Sequence, residues 1–296
     1  MSSVTAEGTI TVAQVLAGAR ASVPLREARA LLQNVLGCSH AALAAHPERE
    51  LASPQQAQFD ALLQRRASGE PMAYLIGRCE FYGREFRVSP AVLIPRPETE
   101  LLVELALERV RDLSCPRILD LGTGSGVLAI SLALERPDAE VTGLEFSPAA
   151  LDVARINAGM SDARIRLLRS EWFGAVAGES FDLIVANPPY VAAGDPHLAR
   201  GDLRFEPRCA LTDGSADGLH SLGEIAAAAP DFLARPGWLL CEHGYDQGEA
   251  CRDLMAGAGF SGVRTWRDLA GIDRVTGGCL PSPLVRLYLG FVDGFD

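Results

Sequence analysis

The chain has 296 residues, of which 48% are hydrophobic and 22% charged, and its formal net charge is −11. This length accommodates one large domain and a smaller one, and the hydrophobic content suits a parallel sheet covered on both faces. Proteins that grip duplex DNA usually present a basic face, so the acidic balance argues against direct nucleic-acid binding. All 27 basic residues are arginine, which excludes a lysine base or Schiff base from any mechanism.

The cysteines and the hydropathy bear on the compartment. Seven cysteines are scattered along the chain without a C-x-x-C pair, so neither a zinc site nor a disulfide framework is expected. No apolar run approaches the length of a membrane span. The first seven residues lack the basic start and apolar core of a signal peptide. We therefore expect a cytoplasmic protein with no metal and no membrane contact.

The first part of the chain has a helical pattern. Apolar residues recur at helical spacing in Val12–Leu16, Pro24–Leu36 and Pro54–Ala67. Gly37 and Gly69 stand where helix C-caps are expected, since glycine tolerates the left-handed conformation that ends many helices. The pattern predicts a small helical bundle of about 70 residues.

A pleated stretch is predicted next. It takes in Tyr74–Gly77 and then two alternating segments, 78–82 and 84–88, on either side of Gly83. A glycine between alternating segments indicates a β-hairpin. Pro97 then begins a helix, and beyond it strands and helices are predicted to alternate to the end of the chain. That order predicts a doubly wound α/β sheet.

A glycine-rich turn joins the first strand of this sheet, Arg117–Leu121, to the helix that starts at Val127. The turn reads Gly122-Thr123-Gly124-Ser125-Gly126. Glycines at a strand-to-helix turn permit positive φ and let a ligand approach the backbone closely. A dinucleotide site is one interpretation, but the G-x-G-x-x-G spacing is missing. A P-loop is excluded because no lysine follows.

An acidic residue ends the second strand. The strand Glu140–Glu145 ends in Glu145, which lies roughly 20 residues beyond the glycine turn, where a carboxylate can meet a ribose hydroxyl pair. The alternative is a solvated charge at the end of a strand. Ser147 is the predicted N-cap of the following helix, with Pro148 at its first position.

The most informative motif is Asn187-Pro188-Pro189-Tyr190, which follows the apolar run Phe181–Ala186. A planar nitrogen becomes a better nucleophile when both of its N–H hydrogens are accepted, and here the Asn187 side-chain oxygen and the Pro188 carbonyl can accept them. The two prolines stiffen the loop. Tyr190 offers a flat face for stacking. The alternative is an ordinary turn, in which Asn and Pro are common.

Together these motifs resemble the class I S-adenosylmethionine-dependent methyltransferases that modify nitrogen. Further motifs make the chain similar to one group of them, the peptide chain release factor glutamine N5-methyltransferases. In chain order these motifs are Ile94-Pro95-Arg96-Pro97-Glu98-Thr99-Glu100, Ser170-Glu171-Trp172-Phe173, Glu206-Pro207, Ala210-Leu211, Asp217-Gly218-Leu219 and Glu242-His243-Gly244. One departure is visible, because the family usually has Asp where this chain has Glu145.

The resemblance implies transfer of a methyl group from S-adenosylmethionine to the side-chain amide nitrogen of the glutamine in the Gly-Gly-Gln motif of class 1 peptide chain release factors, a modification linked to translation termination. It places Asn187, Pro188, Pro189 and Tyr190 in catalysis and substrate binding. The residues it assigns to the cofactor are Gly122, Thr123, Gly124, Ser125, Gly126, Glu145, Trp172 and Asn187.

The helical pattern, the hairpin and the alternation of strands and helices predict the domain organisation. Residues 1–72 are expected to form a helical substrate-recognition domain, 73–96 a β-hairpin linker and 97–296 the S-adenosylmethionine-dependent methyltransferase domain. The fold expected overall is therefore a Rossmann-like, doubly wound α/β sheet with a small helical bundle before it.

Two other functions stay open from the residues alone. An adenine-N6 nucleic-acid methyltransferase would use the same four residues on a base flipped out of the stack. A non-catalytic binding protein could keep the fold without the chemistry, although the intact Asn187–Tyr190 motif argues against it. Arg96 and Glu98 either order the mouth of the site or form a surface ion pair, and His243 is interpreted as a loop or packing residue.

Overall fold

The chain divides between Gly77 and Arg78 into two units. The structure, a computed structural model, describes residues 10–282. The seven residues that were assessed for a signal peptide lie outside this range. None of the helices within it is long and apolar enough to cross a membrane.

Helices dominate the first unit, as the sequence predicts. Three of them, α1, α2 and α4, match the predicted periodic segments, and Gly37 ends α2 in the left-handed conformation with φ of 58°. Leu31, Leu32 and Phe59 are fully buried at the centre of the bundle. The elements are β1 (Ile10–Thr11), α1 (Val12–Ala19), α2 (Leu25–Leu36), α3 (His40–Ala45), β2 (Glu50–Leu51), α4 (Ser53–Ala67) and α5 (Met72–Ile76).

The predicted pleated conformation of Tyr74–Gly77 is wrong. These residues belong to the short helix α5, which begins after Pro71 and ends at Gly77 with φ of 80°. Tyr74 and Leu75, which are adjacent, are both buried. A short apolar run buried on successive positions carries no periodicity that separates a helix from a strand.

The predicted hairpin is confirmed. Strands β3 (Arg78–Phe81) and β4 (Arg84–Arg87) pair in antiparallel fashion. The two turn residues, Tyr82 and Gly83, have φ values of 50° and 69°. Positive φ at both central residues is the signature of the type I′ turn, whose twist matches that of the strands beside it.

The second unit continues with an α/β sheet of seven strands in the order β10-β11-β9-β8-β5-β6-β7. Strands β5 to β9 run parallel to one another. The elements are α6 (Glu100–Val110), β5 (Arg117–Leu121), α7 (Val127–Glu135), β6 (Glu140–Glu145), α8 (Pro148–Met160), β7 (Ile165–Arg169), β8 (Phe181–Ala186), α9 (His220–Ala228), β9 (Leu233–Glu242), α10 (Gly248–Gly257), β10 (Ser261–Arg267) and β11 (Asp273–Leu280).

The alternation of strands and helices stops before the end of the chain, which corrects the prediction. No helix separates β10 from β11, and β11 inserts antiparallel between β9 and β10. A tight turn replaces the helix: the Asp268 carboxylate accepts hydrogen bonds from the backbone of Ala270 at 2.9 Å and of Ile272 at 3.0 Å. Gly271 completes the turn with φ of 79°.

The sheet is covered on both faces, which confirms the predicted fold class. One apolar cluster joins α6 and α7 to the sheet, and the other joins α9 and α10 to its opposite face. In the sheet, β6 and then β7 lie on one side of β5, whereas β8 and then β9 lie on its other side. The carboxyl ends of β5 and β8 therefore flank the crevice where open α/β sheets bind ligands.

Candidate active site

A cavity of about 490 Å³ opens at the carboxyl ends of the central strands. Its volume lies within the range of sites for small molecules. Most of the sequence-predicted site residues meet at its walls, although they come from segments far apart in the chain. The predicted residues that line it are Gly122, Thr123, Gly124, Ser125, Glu145, Trp172, Asn187 and Pro189.

The glycine turn presents its backbone to this cavity. Gly122, Gly124 and Gly126 all take left-handed conformations, with φ of 71°, 56° and 85°. A Cβ atom at Gly122 or Gly124 would meet nothing closer than 3.9 Å, so a ligand can reach the backbone there. At Gly126 a Cβ would lie 2.9 Å from the side chain of Ile130, so this glycine serves the packing of α7 instead.

Asp120, which sequence reasoning did not assign, supports the turn from inside β5. Its Oδ2 accepts hydrogen bonds from the Thr123 hydroxyl at 2.6 Å and from the Ala129 backbone at 3.2 Å. Its Oδ1 is buried and has no hydrogen-bond partner in residues 10–282. Burial raises the pKa of Asp120 to about 7. One sequence feature could have identified Asp120: it is an acidic residue between leucines in the strand that directly precedes the glycine turn.

Glu145 connects the glycine turn with the start of α8. Its Oε2 accepts from the Gly124 backbone at 2.9 Å, and its Oε1 accepts from the Ser147 backbone at 2.8 Å. Each carboxylate oxygen keeps a further lone pair that can accept from a hydroxyl group. Ser147 caps α8 by accepting from the Ala150 backbone at 3.3 Å, and Pro148 is the first helical residue, as predicted.

The Trp172 indole is held beside the glycine turn. Its backbone is left-handed, with φ of 40°, and its carbonyl accepts a hydrogen bond from the Ser170 hydroxyl at 2.7 Å. Its Nε1 donates to Glu224 at 3.1 Å, and its ring edge lies 4.0 Å from the position that a Cβ of Gly122 would occupy. Trp172 therefore forms part of the cavity wall.

The Asn187–Tyr190 loop follows β8, and two of its residues, Asn187 and Pro189, line the cavity. Asn187 donates through Nδ2 to the Thr99 hydroxyl at 3.3 Å, which leaves its Oδ1 as an acceptor. Pro188 is buried, and neither it nor Tyr190 is among the cavity-lining residues of the described chain. The Tyr190 hydroxyl donates to Glu242 at 3.1 Å, and burial raises the pKa of Tyr190 above its usual range.

Gln247, another residue that sequence reasoning missed, holds this loop in place. Its Nε2 donates to the carbonyl oxygens of Tyr190 and Asp217, at 2.9 and 2.8 Å, and its Oε1 accepts from the Gly244 backbone at 2.8 Å. The two loops are in such close contact that a Cβ at Gly218 would lie 2.0 Å from the Tyr190 oxygen. No local sequence pattern identifies a partner of this kind.

Arg96 pairs with Glu206 rather than with Glu98. The Arg96 guanidinium donates to one carboxylate oxygen of Glu206, and the other oxygen accepts from the Ile94 backbone at 2.9 Å. The Glu206 side chain is completely buried, and Arg96 lines the cavity. Of the two interpretations of Arg96, the geometry favours the one in which it orders the mouth of the site.

His243 is a packing residue in this structure. It is fully buried, its Nδ1 donates to the Gly244 carbonyl at 2.8 Å, and its Nε2 accepts from the Thr276 hydroxyl at 2.9 Å. Burial lowers the pKa of His243. The part of the chain from residue 10 to residue 282 contains no group of three or more His, Cys, Asp or Glu side chains that could hold a metal ion.

The second unit is similar to methyltransferases in sequence and in fold. A family model described as a methyltransferase small domain matches residues 98–203. A methyltransferase from Pyrococcus furiosus shares the fold with a TM-score of 0.52 at 17% identity, over 78% of this chain and all of that one. A T. thermophilus 16S rRNA methyltransferase, solved with AdoMet and guanosine, gives 0.51 at 22% identity, over 68% of this chain and 49% of its own.

Sequence relatives define the family more narrowly. The release factor glutamine methyltransferase of Bordetella pertussis is 52% identical, over 87% of this chain and 96% of its own. That of Escherichia coli is 46% identical, over 86% of this chain and 91% of its own. A family model described as the PrmC N-terminal domain matches residues 10–77. The chain belongs to the release factor glutamine methyltransferase family, which confirms the resemblance seen in the sequence.

Proposed function

We propose that the chain transfers a methyl group from S-adenosylmethionine to the side-chain amide nitrogen of the glutamine in the Gly-Gly-Gln motif of class 1 release factors. One observation carries the proposal. The Asn187 side chain donates a hydrogen bond through its nitrogen to Thr99, so its oxygen stays available as an acceptor. It lines the same cavity as the glycine turn and Glu145. A planar amide nitrogen needs such an acceptor, close to the methyl donor, to become a better nucleophile.

The cavity walls suit the parts of this cofactor. The open backbone at Gly122 and Gly124 admits its amino acid part, and Asp120 nearby offers a buried oxygen that has no hydrogen-bond partner among residues 10–282. The Glu145 carboxylate has lone pairs for the ribose hydroxyls. Trp172 supplies an apolar face for the adenine. Bound S-adenosylmethionine would supply a methyl group already activated on a sulfonium, so this chain needs no group to activate the donor.

The remaining task of the protein is to align the nitrogen and stabilise it. The Asn187 oxygen and the Pro188 carbonyl would accept the two N–H hydrogens of the glutamine amide and direct its lone pair towards the methyl group. These hydrogen bonds strengthen as the nitrogen becomes tetrahedral, so they lower the barrier more than they tighten binding. Pro189 stiffens the loop, and Tyr190, held by Glu242, would limit the space in which the amide lies.

The helical unit is proposed to recognise the body of the release factor. The proposed division into 1–72, 73–96 and 97–296 gives this role to the segment before the hairpin, most of which matches the PrmC N-terminal domain model. Hydrogen exchange on the intact protein tests the role: added release factor should slow exchange in residues 10–72. Unchanged exchange there, with binding demonstrated, would contradict it. Since release factors act in translation termination, we propose the cytoplasm as the compartment.

A competition between substrate classes tests the function. The protein is incubated with methyl-labelled S-adenosylmethionine and a mixture of release factor, DNA and RNA. The proposal expects label in the release factor, with a rate that Asn187→Ala lowers by orders of magnitude while cofactor affinity changes only a few-fold. Label in adenine and none in protein would favour the nucleic-acid methyltransferase instead. No label in any polymer would favour a non-catalytic binding protein.

A further inference from the structure

We infer that Asn157 is a positioning residue that holds two walls of the cavity together, the glycine turn and the segment that follows the β-hairpin. The inference rests on the proposed function, because the glycine turn is the proposed site of the cofactor. Asn157 is not among the described residues that line the cavity, so it acts through the residues that it holds. The sequence motifs of the site do not include it.

The Asn157 side chain, which is 1% exposed, joins three segments of the second unit. Asn157 itself lies in α8, and its partners lie 70 and 32 residues away along the chain. Its Oδ1 accepts a hydrogen bond from the Arg87 backbone at 2.7 Å. Its Nδ2 donates to the carbonyl oxygens of Arg87 at 3.0 Å and of Ser125 at 2.8 Å. The oxygen and both N–H hydrogens of the amide are therefore engaged.

Backbone partners determine the orientation of this amide. A backbone N–H group only donates and a backbone carbonyl only accepts, so Arg87 N–H requires the oxygen and the two carbonyls require the NH₂ group. If the amide rotated by half a turn, its NH₂ group would face the N–H group of Arg87 and its oxygen would face two carbonyl oxygens. Unpaired buried groups are costly, so the three hydrogen bonds form in one arrangement only.

Both segments that Asn157 joins lead directly into the cavity wall. Ser125 belongs to the glycine turn and lines the cavity. Arg87 ends β4, and residues 91–93, 95 and 96 of the segment that follows it line the same cavity. The far end of that segment is held by Glu206, which accepts hydrogen bonds from the Ile94 backbone at 2.9 Å and from Arg96. Asn157 holds its near end, and it ties that end to the glycine turn.

The glycine turn needs such a contact because of its composition. Ser125 stands between Gly124 and Gly126, whose φ values are 56° and 85°. Glycine adopts many conformations at little cost, so a turn rich in glycine keeps one shape only if its polar groups are held. The hydrogen bond from Asn157 holds the Ser125 carbonyl before any ligand binds. Without it, the cofactor would have to order the turn as it binds, and that cost would lower its affinity.

Calorimetry with S-adenosylmethionine tests the inference, on variants that circular dichroism shows to be folded. Asn157→Ala removes all three hydrogen bonds, and we expect the affinity to fall about 5- to 10-fold, the equivalent of about one hydrogen bond. Asn157→Asp keeps the shape but loses the NH₂ group, so it should lose affinity too, and it serves if Asn157→Ala does not fold.

The control for these variants is a substitution that loosens the same helix without affecting the link. Leu151→Val removes a buried methylene group from α8, and it should lower the denaturation midpoint while the affinity stays within about twofold. If the folded Asn157 variants lost stability but bound S-adenosylmethionine as the unaltered protein does, Asn157 would support the fold alone and the inference would be overturned. Equal losses of affinity in Leu151→Val would overturn it as well.

A second readout needs neither cofactor nor methyl transfer. Backbone hydrogen exchange of the protein alone should become faster in Asn157→Ala at Arg87 and in the glycine turn, residues 122–126, and should stay unchanged there in Leu151→Val. Unchanged exchange of the glycine turn in Asn157→Ala would overturn the inference. If the unaltered protein did not bind S-adenosylmethionine, the proposed function would fail, while the exchange rates would still decide whether Asn157 holds the two walls together.

Discussion

Gln247 donates a hydrogen bond to the carbonyl oxygen of Tyr190 at 2.9 Å, across 57 residues of sequence. The same nitrogen donates to the Asp217 carbonyl, and the same side chain accepts from the Gly244 backbone. One buried side chain therefore fixes the end of the Asn187–Tyr190 loop against two other loops. The conformation of the catalytic loop depends on contacts that lie outside the motif.

Replacement of Gln247 should lower turnover with little effect on the cofactor. Gln247→Ala leaves the two carbonyl oxygens without their shared donor, and we expect kcat to fall roughly 5- to 10-fold, the equivalent of about one hydrogen bond. Cofactor affinity measured by calorimetry should stay within about twofold, because Gln247 is not among the described residues that line the cavity. Gln58→Ala, on the exposed side of α4, is the control. Equal kcat in the two variants would refute the role of Gln247.

Substitutions at two glycines of one loop should distinguish the effect of a steric contact from that of backbone strain. Gly214 and Gly218 both have positive φ, of 85° and 71°, but a Cβ at Gly214 meets nothing within 4 Å, whereas at Gly218 it would lie 2.0 Å from the Tyr190 oxygen. Gly214→Ala should cost about 1–2 kcal/mol of stability, the usual left-handed penalty. Gly218→Ala should cost more and should also displace Tyr190, so its turnover should fall well below that of Gly214→Ala. Similar denaturation midpoints and similar rates for both would contradict the contact.

Removal of the Glu145 carboxylate should weaken cofactor binding. Glu145→Ala loses the hydrogen bonds from Gly124 and Ser147 as well as those proposed from the ribose. A loss of ~1–3 kcal/mol corresponds to roughly 5- to 150-fold in affinity for S-adenosylmethionine, measured by calorimetry. Glu140→Ala, at the exposed start of the same strand, should bind as the unaltered protein does. Undiminished affinity in Glu145→Ala would show that this residue does not hold the cofactor.

The buried Asp120 should make stability depend on pH. Burial raises its pKa from 3.8 in the unfolded chain to about 7 in the folded protein. As the pH rises through this window, the unfolded chain releases the proton first, so the contribution of Asp120 lowers the free energy of unfolding. At about 1.4 kcal/mol per pH unit, the decrease reaches ~4 kcal/mol near pH 7 and stays constant above it. Urea denaturation across this range should show the decrease in the unaltered protein relative to Asp120→Asn. If the difference in the free energy of unfolding between the two proteins stayed constant across this pH range, the raised pKa of Asp120 would be contradicted.

Local patterns predicted much of this fold. Gly37 ends α2 and Gly83 turns the hairpin because both positions require positive φ, which a sequence reveals through glycine. The helix α5 and the antiparallel pair β10 and β11 were not predictable in the same way. The helix α5 is too short to show a period. The strands β10 and β11 are joined by a tight turn, stabilised by the Asp268 side chain, where a helix was expected.

The site was predictable only in part for a related reason. The carboxyl ends of parallel strands meet at one edge of a sheet, so the glycine turn, Glu145 and Asn187 could be brought together by reasoning from topology. Thr99 and Gln247 could not, because their partners Asn187 and Tyr190 lie 88 and 57 residues away. Hydrogen bonds between distant segments leave no trace in local spacing.

Mass spectrometry of a release factor after incubation with the protein and S-adenosylmethionine tests directly whether the chain methylates the Gly-Gly-Gln glutamine. The peptide carrying Gly-Gly-Gln should gain the mass of one methylene group, fragmentation should place it on the glutamine side chain, and Asn187→Ala should nearly abolish the gain. A glutamine left unmodified by the unaltered protein, or modified equally by Asn187→Ala, would contradict the proposed function.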